Sequence, residues 1–198
     1  MMRYLTIVLL LALGLPLTAQ TDSGPDRWYG HQLTTSVGMA QNSGMRGSFW
    51  GTEEFTQNYL SMGVEYHLIV PLRSFTVGIG PGLAVMDGRR RERAASLTGL
   101  VEYRLGQGRV RTVGRLTGGI NLPVGHRDQP LESRSLGTVL HPSVGIVLTP
   151  PGGHWGSLLF DVGYRFTEMT LSTTNAVQQR SDREVTYRRL TFTTGIRF

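Results

Sequence analysis

The last ten residues alternate strictly, and that alternation constrains the fold more than anything else in the chain. Leu190, Phe192, Thr194, Ile196 and Phe198 fall in one set, and Arg189, Thr191, Thr193, Gly195 and Arg197 in the other. Successive side chains of a strand point to opposite sides, so a period of two separates an apolar face from a polar one, whereas a helix would mix them. The preceding segment repeats the pattern, with Leu158, Phe160, Val162, Tyr164 and Phe166 against Leu159, Asp161, Gly163, Arg165 and Thr167. The same rule predicts six more strands, near 29–40, 59–69, 74–86, 95–106, 109–121 and 135–148. Between 59 and 69, for example, Leu60, Met62, Val64, Tyr66 and Leu68 oppose Ser61, Gly63, Glu65 and His67.

The connections alternate too. Those after the second, fourth and sixth strands are short: Val70-Pro71-Leu72-Arg73, Gly106-Gln107-Gly108, and Thr149 to Gly156. Those after the odd strands are mostly longer and more polar, near 41–58, 87–94, 122–134 and 168–184. Tight turns at one end and long loops at the other are the signature of an outer-membrane barrel. A soluble barrel would place the apolar set inside, and its polar set would meet water. Here the polar set is rich in Gly, Ser and Thr and also carries Glu65, His67, Glu102, Arg104, Arg111, Arg115, Asp161, Arg165 and Arg197. Enclosed ions must neutralise one another. The expected fold is therefore all-β: an eight-stranded antiparallel up-and-down transmembrane β-barrel with a charge-paired lumen. The turn at Gly106–Gly108 is expected to bring Glu102 and Arg111 within pairing reach on adjacent strands.

Aromatic residues gather near the predicted strand ends. Trp28, Tyr29, Phe75, Tyr103, Trp155 and Phe198 fall towards the short-turn rim, and Phe49, Trp50, Phe55, Tyr59, Phe166 and Tyr187 towards the other. Two such girdles suit a bilayer, because amphipathic rings favour the headgroup level. The start of the chain has a separate role. Arg3, the apolar run Thr6–Leu13 and the small residue Ala19 have the order of an export signal, so 1–19 is expected to be a signal peptide and 20–198 the barrel domain. With no cysteine, the fold must hold without disulfides. The +6 formal charge comes entirely from arginine against acids, with no lysine. These charges are dispersed rather than gathered into a basic stripe, which argues against a nucleic-acid partner.

Together these residues resemble the small eight-stranded outer-membrane barrels, the OmpA/OmpX-like group and the PorT-like barrels of Bacteroidetes. The ending Phe192-Thr193-Thr194-Gly195-Ile196-Arg197-Phe198 is similar to the terminal signal that barrel-assembly machinery reads in such families, with Phe192, Ile196 and Phe198 as its apolar residues. The leader ending Thr18-Ala19-Gln20 resembles Bacteroidetes-type export signals. The resemblance implies an outer-membrane location among lipids and lipopolysaccharide, and a structural or surface role.

Candidate chemistry is sparse. Gly78-Ile79-Gly80-Pro81-Gly82 has the look of a dinucleotide loop, but it lies within a strand and no helix follows to receive phosphates. His141, Ser143 and Asp161 share a face, and with Ser143 opposite Asp161 they would supply a base, a nucleophile and an orienting acid. Lipid A deacylases are small barrels with a similar His-x-Ser pair, although there the site faces lipid and the acid is a glutamate. A charge-satisfied lumen network is the expectation for this trio, and a lipid-modifying enzyme the alternative. Arg89, Arg90, Arg91 and Arg93 make the most basic outer loop, suited to lipopolysaccharide phosphates or an acidic partner. The five histidines are too dispersed for a metal site, and no cofactor is expected. The chain is expected to be a non-enzymatic barrel, or else a subunit of a secretion or surface complex.

Overall fold

The computed structural model describes residues 29–40, 43–47, 51–55, 60–87, 92–106, 108–125, 131–151, 156–174 and 180–198. They form β1 (Gly30–Ala40), β2 (Ser43–Gly47), β3 (Gly51–Phe55), β4 (Leu60–Leu72), β5 (Phe75–Asp87), β6 (Glu92–Leu105), β7 (Val110–Gly125), β8 (Leu131–Arg134), β9 (Gly137–Leu148), β10 (Ser157–Thr174) and β11 (Arg180–Arg197). Eight of these close a barrel in the order β1-β4-β5-β6-β7-β9-β10-β11, and β11 returns to β1. Every pairing is antiparallel. At the closing seam Phe198 N–H donates to His31 O (3.0 Å) and His31 N–H donates to Phe198 O (2.8 Å), so the last residue completes the ladder.

All four of the long segments expected to be loops turn out to be partly strand. β2 continues β1 along β11, from Ala40↔Arg189 to Gly44↔Thr186, and β3 folds back on β2. In the same way β8 prolongs β9 along β10. β10 and β11 run 18 residues each, against 13 and 14 for β5 and β6. One wall of the barrel therefore stands taller than the other at the long-loop end. Threonine and other β-formers in 168–174 and 183–187 let pairing run on past the apolar belt.

Alternation sets the two surfaces as expected from the sequence. Leu83 and Val144 on the outer wall are each 65% exposed, while Glu102 and His67 on the inner wall are fully buried. This is the reverse of a water-soluble barrel. The lumen is not polar throughout, however. Met86, Ala94, Met169, Val185 and Tyr187 pack together at its long-loop end, and Val113, Val147 and Leu159 at its short-turn end. Glu65, Glu102, Arg115, Asp161 and Arg165 lie between these two apolar layers, while Arg104 and Arg111 pair across from Val113 and Val147 of the short-turn layer. Tyr187 was expected on the outer girdle; it points inwards instead, 2% exposed, with the Arg189 guanidinium 4.6 Å from its ring centre. Trp28, Phe49, Trp50, Tyr59 and Trp155 lie outside the described residues, as does the 1–19 segment.

Two prolines interrupt the ladders. Pro81 in β5 and Pro142 in β9 have no N–H to donate, and the pairing of β4 with β5 and of β9 with β10 lacks two successive pairs at each. Beside Pro81, a side chain on Gly80 would run into the Tyr66 backbone, so the Gly-rich stretch 78–82 is a close strand contact rather than a phosphate loop.

Candidate functional site: the charged lumen

Inward-facing positions of six strands converge between the two apolar layers. Glu102 on β6 is the hub. It receives both terminal nitrogens of Arg197 from β11, Nη1 at 2.8 Å, and its Oε2 lies 3.5 Å from Arg115 Nε on β7. Arg115 Nη1 also holds Asp161 of β10, and Arg197 Nε donates to Gln32 Oε1 of β1 at 2.8 Å. A continuous chain, Gln32–Arg197–Glu102–Arg115–Asp161, thus links β1, β11, β6, β7 and β10. A separate strut crosses from Arg165 Nη1 of β10 to Glu65 Oε1 of β4 at 2.6 Å. The three acids and three arginines of this interior set balance, as burial requires.

Hydroxyls fill in around the ions. His67 Nε2 lies 2.9 Å from Thr98 Oγ1, and His141 Nε2 lies 2.7 Å from Thr191 Oγ1. Thr191 in turn donates to Gly163 O at 3.1 Å. Gly163 has to be small, because a Cβ there would sit 2.6 Å from His141 Nε2. Between the strut and the chain is a polar cavity of about 10 Å³, bordered by Thr34, Glu65, Arg115, His141, Arg165 and Thr193. It has room for roughly one water, so at this level the side chains fill the lumen.

Most of the residues singled out from the sequence meet here, but two expected pairings are corrected. Glu102 faces Arg115, not Arg111. The turn is wider than its glycines suggested: Gly106 (φ 87°) and Gly108 (φ 103°) take left-handed conformations, and Leu105↔Thr112 is the last cross-strand pair. Arg111 Nε folds back to Gly108 O at 3.0 Å, and Arg104 Nη2 donates to Arg73 O (2.9 Å) and Phe75 O (3.0 Å), so both arginines serve the short-turn rim. Ser143, likewise, faces Gly163, while Asp161 faces Gly145. The trio does share the inner wall, each member under 10% exposed. Two of its members are engaged elsewhere, though: Asp161 Oδ2 is held by Arg115 and His141 Nε2 by Thr191. No base–nucleophile–acid relay is assembled.

The remaining candidates lie apart. Phe192 and Ile196 on β11 and Phe198 just past its end form one outward row, 52%, 39% and 52% exposed. Arg93 is exposed near the start of β6, and Arg89, Arg90 and Arg91 lie outside the described residues. Among the described residues no group of acids and histidines is placed to hold a metal. Sequence reasoning missed the roles of Gln32, Thr98 and Thr191, and the apolar end layers. Leu158-Leu159-Phe160, three apolar residues in a row, was the available signal for an inward apolar position.

Neither a protein-family model nor a curated protein sequence matches the chain. Solved structures do. Neisserial surface protein A is similar at 10% identity and a TM-score of 0.51, the match spanning 87% of this chain and 98% of that one. The outer membrane protein OprG from Pseudomonas aeruginosa (10% identity, TM-score 0.41) spans 85% and 96%, and the attachment invasion locus protein Ail of Yersinia pestis (14%, 0.36) spans 84% and 98%. At such identities the likeness to the Neisserial protein is one of fold: a closed eight-stranded antiparallel barrel.

Proposed function

We propose that this chain is an outer-membrane barrel with a structural or surface-interaction role, exported by its leader and neither catalytic nor conducting. One observation carries the reading: the wall is inverted, with Leu83 and Val144 outside and Glu102 and Asp161 inside. Exposed apolar surface all round a barrel needs lipid to cover it. In that orientation the short turns face the periplasm and the tall wall of β2, β3, β8 and the far ends of β10 and β11 stands at the cell surface. The filled lumen supports a plug rather than a pore, since eight strands leave little more than the room their own side chains occupy.

The test is refolding of 20–198 into phosphatidylcholine vesicles. The folded barrel is expected to resist dodecyl sulfate until heated, with a shift in gel mobility, and to give no stable channels in planar bilayers. A chain that is monomeric and folded in water without detergent would overturn the membrane reading. A lipid A deacylase-like enzyme is the alternative raised by His141, Ser143 and Asp161, and the engagement of His141 with Thr191 and of Asp161 with Arg115 weighs against it. Lipid A mass spectrometry of a deletion strain addresses that alternative. Lipopolysaccharide binding by Arg89, Arg90, Arg91 and Arg93, a passage through barrel-assembly machinery that reads Phe198, and membership of an outer-membrane complex belong to the same reading. Pull-down from native membranes tests the last of these.

A further inference from the structure

The two rims of the barrel differ in charge. Near the long-loop end the outward-facing described residues include Arg93 and Arg188 but also Glu168 and Glu184, so the signs are balanced. The short-turn end has Arg73, Arg104, Arg109 and Arg111 on two neighbouring hairpin turns, and no acid among the described rim residues. The nearest carboxylate, Glu102, is buried and already held by Arg115 and Arg197. Like charges are gathered here rather than dispersed.

The geometry keeps them together. Arg104 brackets the β4–β5 turn through Arg73 O and Phe75 O, and it stands within electrostatic reach of Arg111 and Arg197. Arg73 sits at the tip in a left-handed conformation (φ 43°) and is exposed, as is Arg109 on the next turn. Immediately beside the cluster the apolar belt ends in Leu72, Phe75, Tyr103, Leu105 and Val110, each 42–59% exposed. The Phe75 and Tyr103 rings pack with centroids 4.9 Å apart. Acyl chains against that belt would place their phosphodiesters level with the guanidinium groups, and guanidinium forks match phosphate oxygens.

We propose that the short-turn rim between the β4–β5 and β6–β7 hairpins is a binding surface for anionic phospholipid headgroups. The proposal rests on the membrane reading above. Each basic residue near an anionic membrane surface favours it by roughly fivefold in affinity.

Native mass spectrometry of the full folded barrel, released from mixed micelles holding equal amounts of phosphatidylglycerol and phosphatidylcholine, measures the effect. Phosphatidylglycerol should be retained at least about fivefold over phosphatidylcholine. The preference should fall towards unity in the double variant Arg73→Gln/Arg109→Gln, persist in Arg93→Gln/Arg188→Gln, and survive in Arg73→Lys/Arg109→Lys. Equal retention by the unmodified barrel would sink the proposal, as would a preference lost only from the Arg93/Arg188 variant. Loss of the preference on adding millimolar inorganic phosphate would mean a free-anion site instead. If the glutamine variant fails to fold, a salt series on the unmodified barrel decides, because a preference that ignores ionic strength is not electrostatic. Insertion into pure phosphatidylcholine vesicles separates the two readings. A barrel that inserts there but shows no headgroup preference keeps the membrane reading and loses this one.

Discussion

Glu65 and Glu102 are both buried carboxylates on the inner wall, yet the barrel uses them differently. Glu65 has one charged partner, Arg165, and borders the small polar cavity. Glu102 is shared by Arg115 and Arg197 and joins three strands directly, with two more reached through Gln32 and Asp161. A pair beside space for a water can be partly rescued when it is broken, because solvent can enter. Removing the hub takes a carboxylate from two guanidinium groups at once, leaving Arg115 with Asp161 and Arg197 with the neutral Gln32. The difference lies in the number of partners and the access of water, not in the chemistry of the acid.

The largest expected effect is at the hub. Glu102→Ala should destabilise the barrel by about 3–5 kcal/mol, read from urea unfolding in phosphatidylcholine vesicles, as expected when one side of a buried ion network is removed. A loss below about 1 kcal/mol would show that Arg115 and Arg197 find other partners. Next comes the outer wall: Leu116→Arg, one residue along from the buried Arg115, should cost about 2–4 kcal/mol because its side chain meets hydrocarbon near the middle of the span. An unchanged midpoint there would contradict the membrane orientation of the strand. Glu65→Ala should cost about 2 kcal/mol, less than the hub, since the charged group left behind borders the cavity. Replacing the whole strut as Glu65→Leu/Arg165→Met should recover most of that loss, because apolar side chains of similar size often substitute for a buried pair without penalty. Finally, Ser143→Ala should change stability by less than about 1 kcal/mol and leave lipid A unmodified in either form. A deacylase activity that disappears with that single hydroxyl would revive the enzymatic reading.

Comparing the expected and observed pairings shows which part of this fold is written locally. Glu102 was matched to Arg111 and meets Arg115; Ser143 was matched to Asp161 and meets Gly163. Both errors are even-numbered slips. A slip of two or four residues leaves every side chain on its proper face, so Glu102, Arg115, Ser143 and Asp161 were all placed in the lumen even though their partners were wrong. The turns were the weak point: positive φ at Gly106 and Gly108 widened one connection, and the β9–β10 ladder runs in the register Ser143↔Gly163 rather than Ser143↔Asp161. Tyr187 failed for a related reason. An aromatic residue near a strand end suits a girdle, but its odd position on β11 puts it on the face of Arg189 and Thr191, and parity outweighs preference.

The sequence by itself determined the eight strands of the closed wall and their two faces, and hence the inverted barrel. All of these follow from a period of two and from turn residues, which act over a few neighbours. Only the tertiary structure decided that Arg115 stands between Glu102 and Asp161, that Arg165 reaches across to Glu65, that apolar layers close the lumen at both ends, and that one wall is tall. The charged contacts join residues 13 to 165 positions apart, set by the registers of eight ladders and the curvature of a closed wall, and no local pattern encodes such a sum.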